Sequence, residues 1–132
     1  MGIAKDFDEW NLLKKSIDVA PMRRNLFFTE REVWWCSLGV NVGVESNGKN
    51  QRFERPILIV KKFNGEMIWI VPLTSKPRIG PHYQRLIHDA GVSWAHLSQI
   101  RTVSSKRLLR KIGMVTESDF LGVVQGIISY IK

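Results

Sequence analysis

Apolar and polar positions along this chain follow a helical period at both ends and a strand period in between. Residues 4–17 place Phe7, Trp10, Leu13 and Ile17 near one stripe, with Asp8, Glu9, Lys14 and Lys15 elsewhere. That pattern predicts an amphipathic helix, ended by Pro21. Residues 22–29 then read as a linker tucking apolar side chains under the body. From Glu32 the pattern turns to β, with residues 33–40 (Val-Trp-Trp-Cys-Ser-Leu-Gly-Val) rich in aromatic and branched side chains. A polar, glycine-containing stretch over 41–54 predicts a long functional loop rather than a tight turn. Further strands are expected over 82–88 and 93–103, then a short helix over 106–112, N-capped by Ser104 or Ser105 and stopped by Gly113. Thr116-Glu-Ser-Asp119 resembles a capping box with Asp in place of Glu. It opens a last helix whose Phe120, Val123, Val124, Ile127, Ile128 and Ile131 form an i, i+3, i+4 stripe to lay across a sheet.

The most telling segment is residues 55–74, two apolar runs around Asn64-Gly65. Asn-Gly favours a two-residue type I′ hairpin loop, because both central positions need positive φ. With that loop Phe63 pairs with Glu66, and Arg55 falls opposite Thr74 on the same face, with Cβ atoms roughly 4.5–5.5 Å apart. Ile57, Ile59, Ile68 and Ile70 share one face, and Leu58, Val60, Trp69 and Val71 the other. Such two-sided apolarity predicts central strands covered on both sides. A guanidinium beside a hydroxyl could hold a phosphodiester; the same two residues could equally do no more than end their strands.

Composition sharpens this picture in three ways. The chain has 132 residues, 44% hydrophobic and 24% charged, which supports one folded domain with a real core. Its net charge of +8 favours an anionic partner such as nucleic acid or an acidic protein. Cys36 is the one cysteine, so no intrachain disulfide forms, and its apolar neighbours predict a buried, inert thiol. His82, His88 and His96 share even parity along a possible β-meander but lack zinc-ligand spacing, so no metal or cofactor is expected. The first residues lack a secretory core, and Asp6 stands where a myristoylation signal wants Ser or Thr. No window approaches a membrane span, and a cytoplasmic protein is expected.

Glu32-Val-Trp-Trp with Gly39 and Gly43 downstream, Arg55-Pro-Ile-Leu-Ile-Val and Val71-Pro-Leu-Thr-Ser-Lys76 stand in order along the chain. Leu97-Ser-Gln-Ile-Arg-Thr-Val103 and Lys106-Arg-Leu-Leu-Arg-Lys-Ile-Gly113 follow. Together these segments resemble the MazF/PemK toxins of type II toxin–antitoxin systems. The resemblance implies an α+β fold: a compact SH3-like, CcdB-type β-barrel with a C-terminal helix, spanning residues 29–132. Residues 1–28 lie outside it as an added N-terminal helical extension. It further implies a homodimer that cuts single-stranded RNA at short sequences without a metal and is silenced by an acidic antitoxin protein. The gyrase poison CcdB shares the fold without cutting RNA, so a binding toxin or a non-catalytic RNA-binding module is the alternative.

Residue by residue, the resemblance puts the catalytic arginine on Arg55 and the catalytic threonine on Thr74. Glu45 falls in the glycine-flanked loop segment Gly43-Val-Glu-Ser-Asn-Gly48, which is lengthened before Arg55. Where some members of the family carry an acidic residue before the Gln of Gln-x-Arg-Thr, this chain has Ser98. Arg55 suits a phosphate clamp, being always charged and fork-shaped, but is a poor base. Glu45 is therefore the expected proton acceptor, with His82 as runner-up. Lys49, Arg52, Ser75, Lys76 and Arg78 flank the pair and could grip phosphates, Phe53 or Tyr83 could stack on bases, and Gln99 and Arg101 belong to the Gln-x-Arg-Thr strand. Lys106 and Arg110 read as a solvated face.

Overall fold

The structure, a computed structural model, describes residues 5–132; the signal and myristoylation readings, and the first residue of the expected N-terminal helix, fall outside it. The chain forms α1 (Phe7–Val19), β1 (Glu32–Ser37), β2 (Glu54–Lys62), β3 (Met67–Thr74), β4 (Tyr83–His88), β5 (Gly91–His96), β6 (Arg101–Ser104), β7 (Leu108–Met114) and α2 (Glu117–Ile131). The strands make one antiparallel seven-stranded sheet in the order β4-β5-β3-β2-β1-β7, and β6 also pairs with β3. The path has two ends, β4 and β7, so the sheet of this α+β fold is not closed into the expected barrel.

The β2–β3 hairpin is the centre of the fold, and its register differs from a two-residue turn in an instructive way. Phe63 N donates to Met67 O at 3.1 Å, so the loop is the three residues Asn64, Gly65 and Glu66. Asn64 Oδ1 holds that loop by accepting from the amides of Glu66 and Met67 at 2.8 and 2.9 Å. A bulge at Val60 then shifts the ladder by one residue, between Lys61↔Trp69 and Ile59↔Ile70. The two changes cancel. At the far end Ile57↔Pro72 carries the register of a two-residue loop; the ladder ends there, and the same register continued by two residues would set Arg55 opposite Thr74.

Two cores flank this hairpin. Ile57, Ile59, Ile68 and Ile70 pack with Trp34, Cys36, Leu38, Val103, Leu108 and Phe28 from the linker. Leu58 and Val71 pack on the other side with Leu86, Ala95, Leu97 and the α2 residues Val123 and Ile127. The expected two-sided burial is present except at Trp69, which is exposed and sets its ring edge-on against Phe63. Thr116 caps α2 by accepting from Asp119 N at 3.1 Å. The Asp119 carboxylate closes no capping box; it accepts from Ile87 N at 2.8 Å and ties the helix to the edge strand β4.

One expected element is overturned. Residues 108–114 form strand β7 rather than a helix over 106–112, pairing with β1 from Glu32↔Met114 to Cys36↔Leu108. Two register shifts in that ladder leave Leu109 and Ile112 without direct partners, which breaks the alternation a strand normally shows.

The N-terminal helix docks on the same body. Asp6 caps it by accepting from Glu9 N at 3.0 Å, and Trp10 is its one buried residue. The indole lies on Gly39, whose φ of +82° and missing Cβ make the seat: an added Cβ would sit 2.0 Å from the ring. Phe53 packs on the same indole with centroids 5.6 Å apart, and Arg107 lies over it at 5.6 Å.

Candidate active site

Between β1 and β2 the chain makes an excursion over 38–53 that returns to the sheet through a closed base. Phe53 O accepts from Leu38 N at 2.9 Å and Gly39 N at 3.0 Å, and Lys49 and Glu54 exchange amide bonds of 2.8 Å in both directions. Gly48 passes so close that a Cβ would stand 1.7 Å from the Phe53 carbonyl oxygen. From across the fold, Gln99 accepts from Ser46 N at 3.0 Å and donates to Val44 O at 3.1 Å. This bracing turns a polar, glycine-containing loop into a fixed wall.

Arg55 stands at the foot of that wall. Its Nε donates to Asn47 O at 2.6 Å and its Nη1 to Leu73 O at 3.3 Å. Of the five N–H groups of a guanidinium, three remain free. The ion pairs among the described residues join Arg31–Glu117, Lys61–Glu30, Arg110–Glu54 and Lys111–Glu32 and leave Arg55 without a carboxylate. Burial, and then the nearby charge of Arg78, lower its affinity for its own proton. A half-buried cation held by carbonyls alone is a site for an anion. Thr74 completes the clamp: its Oγ1 accepts from Lys76 N at 3.2 Å, so its hydroxyl proton is free to point at a ligand.

Arg55 and Thr74 face one cleft of about 310 Å³, also lined by Glu45, Lys49, Lys76, Arg78, Tyr83 and His96. The fold therefore brings six of the expected site residues, Arg55, Thr74, Glu45, Lys49, Lys76 and Arg78, to one place. Ser75 lies on an adjoining, more apolar hollow that shares Arg55 and Thr74 and includes Trp35, Pro56 and Ile112. Gln99 and Arg101 line a third hollow with Glu45 and Ser46, on the other side of the loop.

Besides Ser75, Gln99 and Arg101, three further expected site residues are not brought into the cleft. Arg52 faces the linker and α1, beside Ile17, Pro21 and Leu26. Phe53 turns under Trp10 through a backbone φ of +50°, so its ring packs against α1 rather than into the cleft. His82 stacks on Tyr130, with ring centroids 5.7 Å apart and its Nδ1 3.2 Å from the phenol oxygen. Of the residues read as a solvated face, Arg110 pairs with Glu54 at 3.0 Å and covers the Trp35 ring, while Lys106 donates to Asp18 O at 2.8 Å.

One side chain of the cleft was not among the expected functional groups, His96. Burial, followed by the charges of His82, Arg55 and Arg78, keeps its imidazole below its ordinary pKa. Only the β3–β5 pairing, Leu73↔Ala95 and Thr74↔Trp94, brings it to the site, and that contact leaves no local signal in the chain.

An antiparallel sheet here presents, in a cationic cleft, an arginine without a carboxylate partner and a hydroxyl with a free proton, an arrangement suited to an anion. The model of the PemK-like, MazF-like toxins of type II toxin–antitoxin systems matches residues 29–131, and the chain belongs to that family. The match begins after α1, which leaves the N-terminal extension outside it. No curated protein matches the sequence. Among solved structures, MazF from Deinococcus radiodurans is similar at a TM-score of 0.67 and 18% identity, over 81% of this chain and 98% of that one. An endoribonuclease from a mycobacterial species, in complex with its cognate antitoxin, is similar at 0.62 and 17% identity, over 80% and 95% of the two chains. Mycobacterium tuberculosis toxin MazF-mt6 follows at 0.57 and 16% identity, over 76% and 96%. At these identities the structural likeness carries the fold.

Proposed function

We propose that this family member is an endoribonuclease toxin that cuts single-stranded RNA at short sequences without a metal. The observation that carries the reading is Arg55, a half-buried guanidinium with no carboxylate partner, anchored by two carbonyls beside the Thr74 hydroxyl. In this reaction the RNA's own 2′-OH attacks the adjacent phosphorus, leaving a cyclic phosphate and a 5′-OH. Arg55 offers its free N–H groups to the non-bridging oxygens, where negative charge builds in the transition state. Thr74 donates to the same oxygens and orients the phosphate. Lys49, Lys76 and Arg78, along the cleft, hold flanking phosphates, and Tyr83 offers a ring on which a base stacks. Glu45 lines the cleft as one carboxylate able to accept a proton.

The same cationic cleft suits an acidic antitoxin segment that folds on binding. The mycobacterial endoribonuclease was solved with its cognate antitoxin, and a Deinococcus radiodurans structure holds MazE with MazF, which supports an antitoxin partner here. The protein acts in the cytoplasm, as a homodimer.

The test is incubation of the purified protein with a defined single-stranded RNA in EDTA, followed by end-group analysis. A cyclic phosphate and a 5′-OH at the cut, lost in Arg55→Ala, support the proposal. RNA bound but intact would instead identify a binding module, and growth arrest with intact RNA a toxin acting on a protein target.

A further inference from the structure

Cleavage by this route needs a group that takes the 2′-OH proton, and Arg55 and Thr74 do not supply one at neutral pH. We propose that His96, at the end of β5, is the catalytic base of the site; this rests on the nuclease reading above. Glu45 is the competing candidate. It is exposed on the loop, and its Oε1 already accepts from Val42 N at 3.3 Å within its own turn.

The placement of His96 follows from the sheet. Thr74 pairs with Trp94, and side chains alternate along a strand, so Thr74 and His96 emerge on the same face as diagonal neighbours. Such diagonal positions are roughly 7–8 Å apart, which leaves room for a phosphate and its ribose between hydroxyl and imidazole. Two contacts hold the ring's position. Tyr83 is the direct cross-strand partner of His96, with ring centroids 4.6 Å apart and planes inclined by 30°. The next amide, Leu97 N, is fixed to His82 O at 2.8 Å. The imidazole also makes no capping bond to the turn it precedes, so it is not committed there.

The charges around the ring act in the same sense. Arg55 faces it from β2, Arg78 from the segment after β3, and His82 from the segment before β4. Glu45, Lys49 and Lys76 line the same cleft, and the Tyr83 phenol ring lies on the imidazole. Burial, and then these cations, which outnumber the one carboxylate lining the cleft, lower the pKa of His96 and favour the neutral form that accepts a proton. A bound phosphodiester then places an anion among the guanidinium groups and makes the protonated ring easier to form. The proton balance is simple. The 2′-oxygen gives its proton to His96 and bonds to phosphorus, and the P–O5′ bond breaks with its electron pair. The leaving oxygen takes a proton from water, and His96 returns its own to solvent.

The test compares wild type, His96→Gln and Glu45→Gln on one single-stranded RNA, with a 2′-O-methyl version of the same oligonucleotide as a non-cleavable probe of binding. His96→Gln is expected to lower kcat by about 10²–10⁴-fold while binding the 2′-O-methyl probe within about threefold of wild type. It should also abolish the rise of rate with pH that marks deprotonation of the base in wild type. Glu45→Gln should keep that rise. In His96→Ala, added imidazole should restore part of the rate, which a role confined to packing against Tyr83 would not allow. A His96→Gln enzyme within a few-fold of wild type and with the same pH profile overturns the role of His96 alone. Wild type that binds RNA and never cuts it overturns the nuclease reading, and the base with it.

Discussion

Arg55 Nη1 donates to the carbonyl of Leu73, the residue before Thr74, so the clamp's charge and its hydroxyl are tied to one strand end. The anchor is a carbonyl rather than a carboxylate, which leaves the guanidinium's charge uncompensated for a ligand. Arg55→Ala should cost about 2.7–4 kcal/mol of transition-state stabilisation, the range seen when an oxyanion donor is removed. Arg55→Lys should restore little, because an ammonium cannot hold Asn47 O, Leu73 O and a phosphate in one planar fork. Single-turnover cleavage rates measure both; a lysine variant with near wild-type rate would refute the geometric argument.

Lys76 and Arg78 face the cleft, whereas Arg52 faces α1 and the linker. Each cleft cation that contacts a phosphate should add about 0.7 to the slope of log affinity against log salt for single-stranded RNA. Lys76→Ala and Arg78→Ala should therefore flatten that slope by about this amount each, and Arg52→Ala should leave it unchanged. Fluorescence anisotropy of a labelled non-cleavable RNA across a salt series decides the matter.

The hairpin was legible in the sequence because both of its faces are apolar, and the expected register is kept at Ile57↔Pro72 because the longer loop and the bulge at Val60 offset each other. Strand β7 was not legible. Its two unpaired residues, Leu109 and Ile112, break the period of two and leave the doublets Leu108-Leu109 and Arg110-Lys111, which imitate a helical face. Pairing with β1, far earlier in the chain, overrides that local preference. His96 was hidden for a related reason: its neighbours Arg55 and Arg78 reach it through non-local strand pairing. Arg52 and Phe53 looked like cleft residues from their closeness to Arg55 in sequence, and the positive φ at Phe53 turns that part of the loop toward α1.

Trp10 ties the N-terminal helix to the wall of the cleft, resting on Gly39 and Phe53 at the base of the 38–53 excursion. Lys5 adds a second tether by donating to the carbonyls of Asn41 and Gly43. Trp10→Ala should cost up to about 3–5 kcal/mol where the emptied site stays unfilled. The expected readout is local. Amides in α1 and in the 38–53 loop should exchange faster, while those of β2 and β3 keep their protection. Gly39→Ala should have a similar effect, through collision with the indole and a side chain forced to positive φ. Uniform loss of protection across the sheet would show instead that α1 is integral to the global fold.

Buried Glu32 couples the β1–β7 seam to pH. Its Oε1 accepts from Thr29 N at 2.9 Å and Trp34 Nε1 at 3.0 Å, and its Oε2 lies 3.0 Å from Lys111 Nζ. Burial alone would raise this carboxyl's pKa; the hydrogen bonds from Trp34, Thr29 and Lys111 outweigh it and hold the group below its ordinary 4.5. The unfolded chain therefore binds a proton here more readily than the folded one, and acid favours unfolding. The stabilisation is complete above the unfolded value and is lost as pH falls through the depressed folded value. Glu32→Gln should accordingly lower Tm at pH 7, and its deficit against wild type should shrink as the pH falls below about 4. Thermal melts of the two proteins across pH 3–7 test this. A gap that stays constant down to the lowest pH would mean that Glu32 acts through shape and neutral hydrogen bonding rather than through its charge.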